Sequence, residues 1–270
     1  MRTIAVANQK GGVGKTTTAV TLGHALAIRG LRVLLVDLDS QGNVAINLGH
    51  DPTPGIYMAV LGKQPLAAWV IEMRDCLYVL PGNGQTASLK EIMSGMNFRE
   101  LLLARVLNKV SGDYDVAVLD CAPSLDILNV GALVAADDLL IPVAMDYLAT
   151  VGVAQHVKSL IELREAGHET ELRWVVPTFF EEVTKESRRV LADLAEHFGP
   201  LVTAPVHRSV RLREAPAYGK TIWEHAPKCR AASDYLAVVA RVVRDTGIAP
   251  QQGEDDDRGA REPAGTAGAR

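Results

Sequence analysis

Cysteine is scarce in this 270-residue chain: Cys76, Cys121 and Cys229 stand singly, with no CxxC pair and an odd total. That pattern favours neither a disulfide framework nor a zinc site and suits a reducing cytoplasm. No apolar run approaches the length of a membrane-spanning helix, and "MRTIAVANQK" has no apolar signal core before a glycine-rich loop begins. An excess of positive charge is also missing. The net charge is -4 and the pI near 6.0, so any contact with nucleic acid has to come from a local patch.

What is present is a chain 48% hydrophobic and 22% charged, enough to bury one large core, so one domain with appendages is expected. Short apolar runs recur at 3–7, 32–39, 78–82, 115–120, 138–145 and 172–178, and they read as strands. Between them lie helical lengths at 15–29, 84–110 with a break near Gly95, 126–136, 148–166 and 184–198. Continuous apolar strands alternating with helices predict an α/β fold: a doubly wound, mostly parallel sheet with helices on both faces. Residues 1–248 are expected to form this single domain. Residues 249–270, rich in Gly, Pro, Ala and charge, are expected to form a disordered tail.

The chemistry concentrates in "NQKGGVGKTTT", residues 8–18. Gly14, Lys15 and Thr16 meet the end of the phosphate-loop pattern G-x-x-x-x-G-K-[ST], while Gln9 stands where its first glycine belongs and Lys10 adds a second lysine. Gly11, Gly12 and Gly14, with Val13 among them, let consecutive backbone N–H groups approach a phosphate at a helix N-terminus. Lys15 then reaches the β- and γ-phosphates, the Thr16 hydroxyl ligates Mg²⁺ directly, and Thr17 touches the α-phosphate. Asp37 and Asp39 close the second strand on one side, so one or both can face the phosphates. Asp39, nearer the exit, is assigned to hold the attacking water and to reach the metal; local capping or pairing is the alternative. Asp120 ends "DYDVAVLD" as a Walker-B acid holding the Mg²⁺ shell through water, with a strand-end turn as its alternative.

"KGGVGKTTT", "VLLVDLDSQGN", "DYDVAVLDCAPSL" and "VRLREAPAYGKTI" together resemble the ParA/Soj partition ATPases, deviant Walker-A members of the P-loop NTPases, over the span from the first residues to about Thr246. The resemblance implies a Mg²⁺-dependent, cytoplasmic, nucleoid-associated ATPase that dimerises around ATP. Lys10 would reach across the dimer interface, with Gly11 beside it, to the partner's phosphates; an in-trans cation of this kind stabilises transition-state charge much as an arginine finger does. Ser40 and Ala122 replace the family's prolines, and on the adenine side His207 and Ser209 replace Pro and Asn, which leaves Arg208 as the carried-over ATP-binding side chain of that trio.

Such proteins bind DNA without sequence preference and are stimulated by a ParB-like, centromere-binding activator. Lys185, Arg188 and Arg189, at i, i+3 and i+4, form a candidate DNA-binding stripe that Arg211, Arg213 and Lys220 extend. A solvated face is the alternative, since Arg189 and Asp193 make an ordinary i, i+4 pair. Because the chain opens directly on its first strand, a separate operator-reading domain is not expected. Membrane attachment of the MinD type is not expected either, because the acidic run after Gly253 would be repelled by anionic lipid. The competing functions are positioning of another cargo, such as a protein assembly, and ATP-dependent small-molecule chemistry within the superfamily.

Overall fold

The computed structural model describes residues 1–250 apart from 63, 125, 147 and 148. The tail expected at 249–270 falls almost wholly outside the described residues. Seven strands form one sheet: β1 (Arg2–Val6), β2 (Val33–Asp37), β3 (Ile71–Arg74), β4 (Leu77–Leu80), β5 (Val116–Asp120), β6 (Asp138–Ala144) and β7 (Glu171–Thr178). Their spatial order is β3-β4-β2-β5-β1-β6-β7, parallel throughout except that β3 runs antiparallel to β4.

The helices are α1 (Lys15–Ala27), α2 (Asn43–Asn47), α3 (Gly55–Leu61), α4 (Thr86–Ser94), α5 (Leu102–Asn108), α6 (Ile127–Ala135), α7 (Ala149–Glu165), α8 (Lys185–Phe198), α9 (Val210–Glu214), α10 (Ile222–His225) and α11 (Arg230–Thr246). The segment expected to break near Gly95 does so, with Gly95 as the C-cap of α4.

Burial explains why the strands read as unbroken apolar runs. Along β1, Ala5 packs into one hydrophobic cluster with α3 to α8, while Ile4 and Val6 pack into a second with α1 and α11. β2 divides the same way, Leu34 and Val36 to one face and Val33 and Leu35 to the other. With both faces covered, every position of a central strand has to be apolar. α11 buries Tyr235, Val238, Val239 and Val242 against the sheet, so the apolar stripe of that helix is spent on the core.

Strand β3 was not anticipated. Its Glu72 is exposed and its other three residues are half-buried, and it pairs with β4 through a register shift between Glu72 and Arg74. On the opposite side, residues 202–207 run along β7, with Thr203 and Val206 donating backbone bonds to Val175 and Pro177 and an isolated bridge joining Phe180 to His207.

At the amino-terminal ends of the strands, the buried Asp138 holds three strands together. It accepts two hydrogen bonds of 2.7 Å from the Arg2 guanidinium of β1 and another from Arg173 of β7. Removing one partner of a buried ion pair leaves uncompensated charge, which costs about 3–5 kcal/mol. Asp138→Ala is therefore expected to lower unfolding stability by about 3 kcal/mol in urea titration. A loss below about 1 kcal/mol would refute this role.

Candidate functional site

Parallel strands deliver their following loops to one end of the sheet, and in this strand order β2, β5 and β1 are neighbours. Asp37 stands beside Asp120 in register, and Asp120 beside Val6. The glycine loop, the segment after β2 and the segment after β5 therefore meet in one place. They line a cleft of about 760 Å³ that reaches from Lys10–Thr17 past Asp39 to Val206–Ser209, Leu212, Arg213 and Pro216.

The loop turns into α1 through glycines that take the left-handed conformation, Gly12 at φ 73° and Gly14 at φ 89°. Its start is fixed by Asn8, whose side-chain amide donates to the Pro142 carbonyl (2.8 Å) and whose carbonyl accepts from the Lys10 amide (3.0 Å). Lys15 Nζ bends back to donate to the Lys10 carbonyl (3.0 Å). Burial lowers its pKa, opposed by the charges of Asp120 and Asp39. The two lysines diverge: Lys10 Nζ leaves the loop and pairs with Asp146 just beyond β6.

The carboxylates divide their work in a way the spacing left open. Asp37 is fully buried and accepts from the amides of Asp39 and Val44, both at 3.0 Å, so it ties the loop after β2 to the first turn of α2. Burial pushes its carboxyl up to about 7 against those two hydrogen bonds. Asp39 alone of the pair lines the cleft, with one oxygen taking the Gln41 amide (3.0 Å).

Asp120 is buried, and among the described residues neither of its oxygens has a hydrogen-bond partner at ordinary distance, the Thr16 hydroxyl being the polar group beside it. Burial and then the Asp37 charge raise its pKa well above the carboxylate range, while the Thr16 hydroxyl and the Lys15 ammonium favour the charged form. An orphaned buried carboxylate beside a threonine hydroxyl and a lysine suits a hydrated divalent cation. Thr16 can reach such an ion directly, and Asp39 and Asp120 through water.

At the far end of the cleft, Arg208 pairs with Glu181. His207 is held by Asp234, whose Oδ2 accepts from both its backbone N–H (3.0 Å) and its Nδ1–H (2.9 Å). Ser209 lines the cleft beside them.

The basic residues lie on α8, on α9 and just after the turn that follows it. Lys185, Arg188 and Arg189 lie exposed on α8, which Thr184 caps, and Arg189 pairs with Asp193 at 3.8 Å. Arg211 of α9 pairs with Glu214 at 2.9 Å, Arg213 lines the cleft, and Lys220 is exposed after the turn at 215–218. Sequence reasoning missed Asn8, Asn43, Asn47, Asp146 and Phe179. Asp146 carried a usable signal, since "DLLIPVAMD" ends in a carboxylate like the strands before it. Among the described residues no helix is long and apolar enough to cross a membrane.

Loop, carboxylates and sheet topology together define a P-loop nucleotide hydrolase of the α/β class. A family model described as an AAA domain matches residues 1–173. The chain is 40% identical to the chromosome-partitioning ATPase Soj of Thermus thermophilus, covering 90% of this chain and 96% of that protein. It is 34% identical to the chromosome partitioning protein ParA of Caulobacter vibrioides, over 90% and 94% of the two chains. Among solved structures it is similar to cobyrinic acid a,c-diamide synthase from Mycobacterium smegmatis with bound ATP analog and magnesium. That match has 33% identity and a TM-score of 0.80 and covers 92% and 96% of the two chains. The chain belongs to the ParA/Soj family, and it is an ATPase that uses ATP and Mg²⁺.

The segment that carries Asp39 packs against a position with no spare room. A Cβ on Gly82, just after β4, would stand 2.7 Å from the Asp37 carbonyl and 2.8 Å from that of Asp39. Gly82→Ala is expected to displace the segment carrying Asp39 and lower kcat for ATP at least tenfold, with ATP affinity within about threefold of wild type. Steady-state hydrolysis with a parallel binding titration checks this, and wild-type turnover would remove Gly82 from the support of the site.

Proposed function

We propose that this protein is a DNA-partitioning switch: an ATPase that forms an ATP-sandwich dimer, holds nonspecific DNA, and lets go after hydrolysis stimulated by a ParB-like, centromere-binding protein. The observation that carries the reading is the divergence of two lysines five residues apart. Lys15 is folded into its own loop, whereas Lys10 points out of it to Asp146 at the cleft wall. One lysine is placed for the bound nucleotide, and the other becomes available to a facing copy once its pair with Asp146 opens. The relatives' printed names supply the cargo class, chromosome partitioning.

In this mechanism the amides of Gly11 to Lys15 cradle the phosphates, Lys15 neutralises the β/γ oxygens, and Thr17 fixes the α-phosphate. Mg²⁺, when bound, spreads the charge that develops on the phosphate oxygens; Thr16 would hold it directly and Asp39 and Asp120 through water. Asp39 accepts a hydrogen bond from the attacking water and fixes its line of approach. Lys10 of the facing copy supplies the cation that the transition state needs, a contribution of about 10³–10⁵ in rate where such groups have been measured. DNA meets the exposed face of α8, with Arg211, Arg213 and Lys220 as its extension, and the dimer places two such faces on one molecule. This assigns the protein to the nucleoid. Positioning of a protein assembly along the same DNA track would use the same residues, with a different stimulating partner.

The solved relative named as a diamide synthase favours one further reading, ATP-driven chemistry on a small acid. Retention on nonspecific DNA with ATP and with ADP separates the two. ATP-dependent retention that Arg188→Glu with Arg189→Glu abolishes supports partitioning; turnover that depends on an added acid and ignores DNA would replace it. If about four phosphates are neutralised, log K should fall against log salt with a slope of about -3.6. Lys10→Ala should keep nucleotide binding yet remain monomeric by size-exclusion chromatography with ATP and Mg²⁺, and a stable ATP dimer would overturn the in-trans role. Asp39→Ala should stay on DNA with ATP, its turnover lowered by 10² or more.

A further inference from the structure

Phe179 follows β7 directly and sits in the left-handed region at φ 55°, a conformation that a bulky aromatic residue rarely adopts. Its neighbours enforce it. The Thr178 hydroxyl donates to the Val13 carbonyl (2.9 Å), the Phe180 amide to Val206 (3.0 Å), and the Arg208 amide to Phe180 (3.0 Å). Strain of this kind persists where the surroundings over-determine it, and it collects at ligand sites.

The strained turn sends two adjacent rings to different places. Phe180 is buried in the core and meets the His207 ring edge-on at 5.1 Å. Phe179 is half-exposed and lines the cleft, its Cζ 3.6 Å from where a Cβ on Gly14 would stand, so the ring lies against the phosphate loop. The loop claims the phosphates of a nucleotide, and the rest of the cleft extends from this ring toward Val206–Ser209 and Pro216. The other aromatic groups on that path are engaged: the Tyr235 hydroxyl bonds Thr18 (2.9 Å) within the core, and His207 is tied to Asp234.

Resting on the reading of this cleft as the ATP site, we propose that Phe179 is the stacking platform of its nucleoside end, presenting a flat π-face to the base of the bound nucleotide. Stacking tolerates any base, because every base has a π-face. Phe179 therefore sets affinity for nucleosides as a class, and the choice among bases falls to the polar edges of His207, Arg208 and Ser209.

Two substitutions and two ligands test this. Phe179→Gly removes the ring and relieves the strained backbone, so urea unfolding should show stability at or above wild type. Phe179→Trp keeps an aromatic face. Calorimetric titration with Mg²⁺ should give about tenfold weaker ATP binding for the glycine variant, binding within about twofold of wild type for the tryptophan variant, and equal affinity of all three proteins for inorganic triphosphate. Wild-type ATP affinity in Phe179→Gly would overturn the platform and leave the ATP site standing. An equal loss for ATP and triphosphate would overturn it by making the ring a prop for the loop. Failure of the wild-type protein to bind either ligand would overturn the ATP-site reading itself.

Discussion

Two carboxylates sharing one buried corner set the terms for the carboxyl end of this sheet. Asp37 and Asp120 close adjacent parallel strands in register, and both are buried. Buried charge is tolerated only when it is matched. Asp37 takes two backbone amides, which requires the chain to turn sharply after β2 and start α2 where the Val44 amide can reach back. Asp120 takes none, and its compensation comes from Lys15 and Thr16 across the neighbouring strand. The corner thereby dictates how the glycine loop re-enters the molecule and why Gly82, wedged against the carbonyls of Asp37 and Asp39, has no room for a side chain.

Much of this was legible in the sequence because the physics is local or periodic. A strand covered on both faces has to be apolar at every position, so "VLLVD" and "VAVLD" announce themselves, and the carboxylate closing each run marks where the strand leaves the core. The gathering of Lys15, Thr16, Asp39 and Asp120 follows from parallel topology alone. What could not be read depends on partners distant in the chain. β3 is short and half-exposed, so its strand character comes from β4 across a turn. The distinction between Asp37 and Asp39 rests on which of them the Val44 amide meets. The contact between Lys10 and Asp146 spans 136 positions, and the left-handed turn at Phe179 is imposed by hydrogen bonds to Val13 and Val206 that no property of phenylalanine signals.

Ion pairing engages many of the cations of this acidic chain. Four exposed arginines are already matched: Arg189 with Asp193, Arg208 with Glu181, Arg211 with Glu214 and Arg230 with Glu182. Exposed pairs of this kind are worth little, typically about 0–1 kcal/mol, so under the proposed function a phosphate would replace the carboxylate at small cost. Lys185, Arg188 and Lys220 have no ion pair among the described residues. On the proposed reading, the arginines now paired with carboxylates are a reserve of positive charge that the net charge of -4 does not reveal.

The two borders of the sheet have a consequence for how copies of the chain can meet. One border is the four-residue β3, carrying Glu72 and Arg74 and reversed in direction relative to β4. The other is lined by residues 202–207, which hydrogen-bond to β7 in an irregular way. Open borders are templates for lateral growth, and short, charged or covered ones suppress it. With both sides blunted, strand addition is a poor route to self-assembly, which agrees with the proposed pairing through the loops above the strand tips. Under that proposal, a molecule that pairs only through its nucleotide end would form assemblies that stop at two.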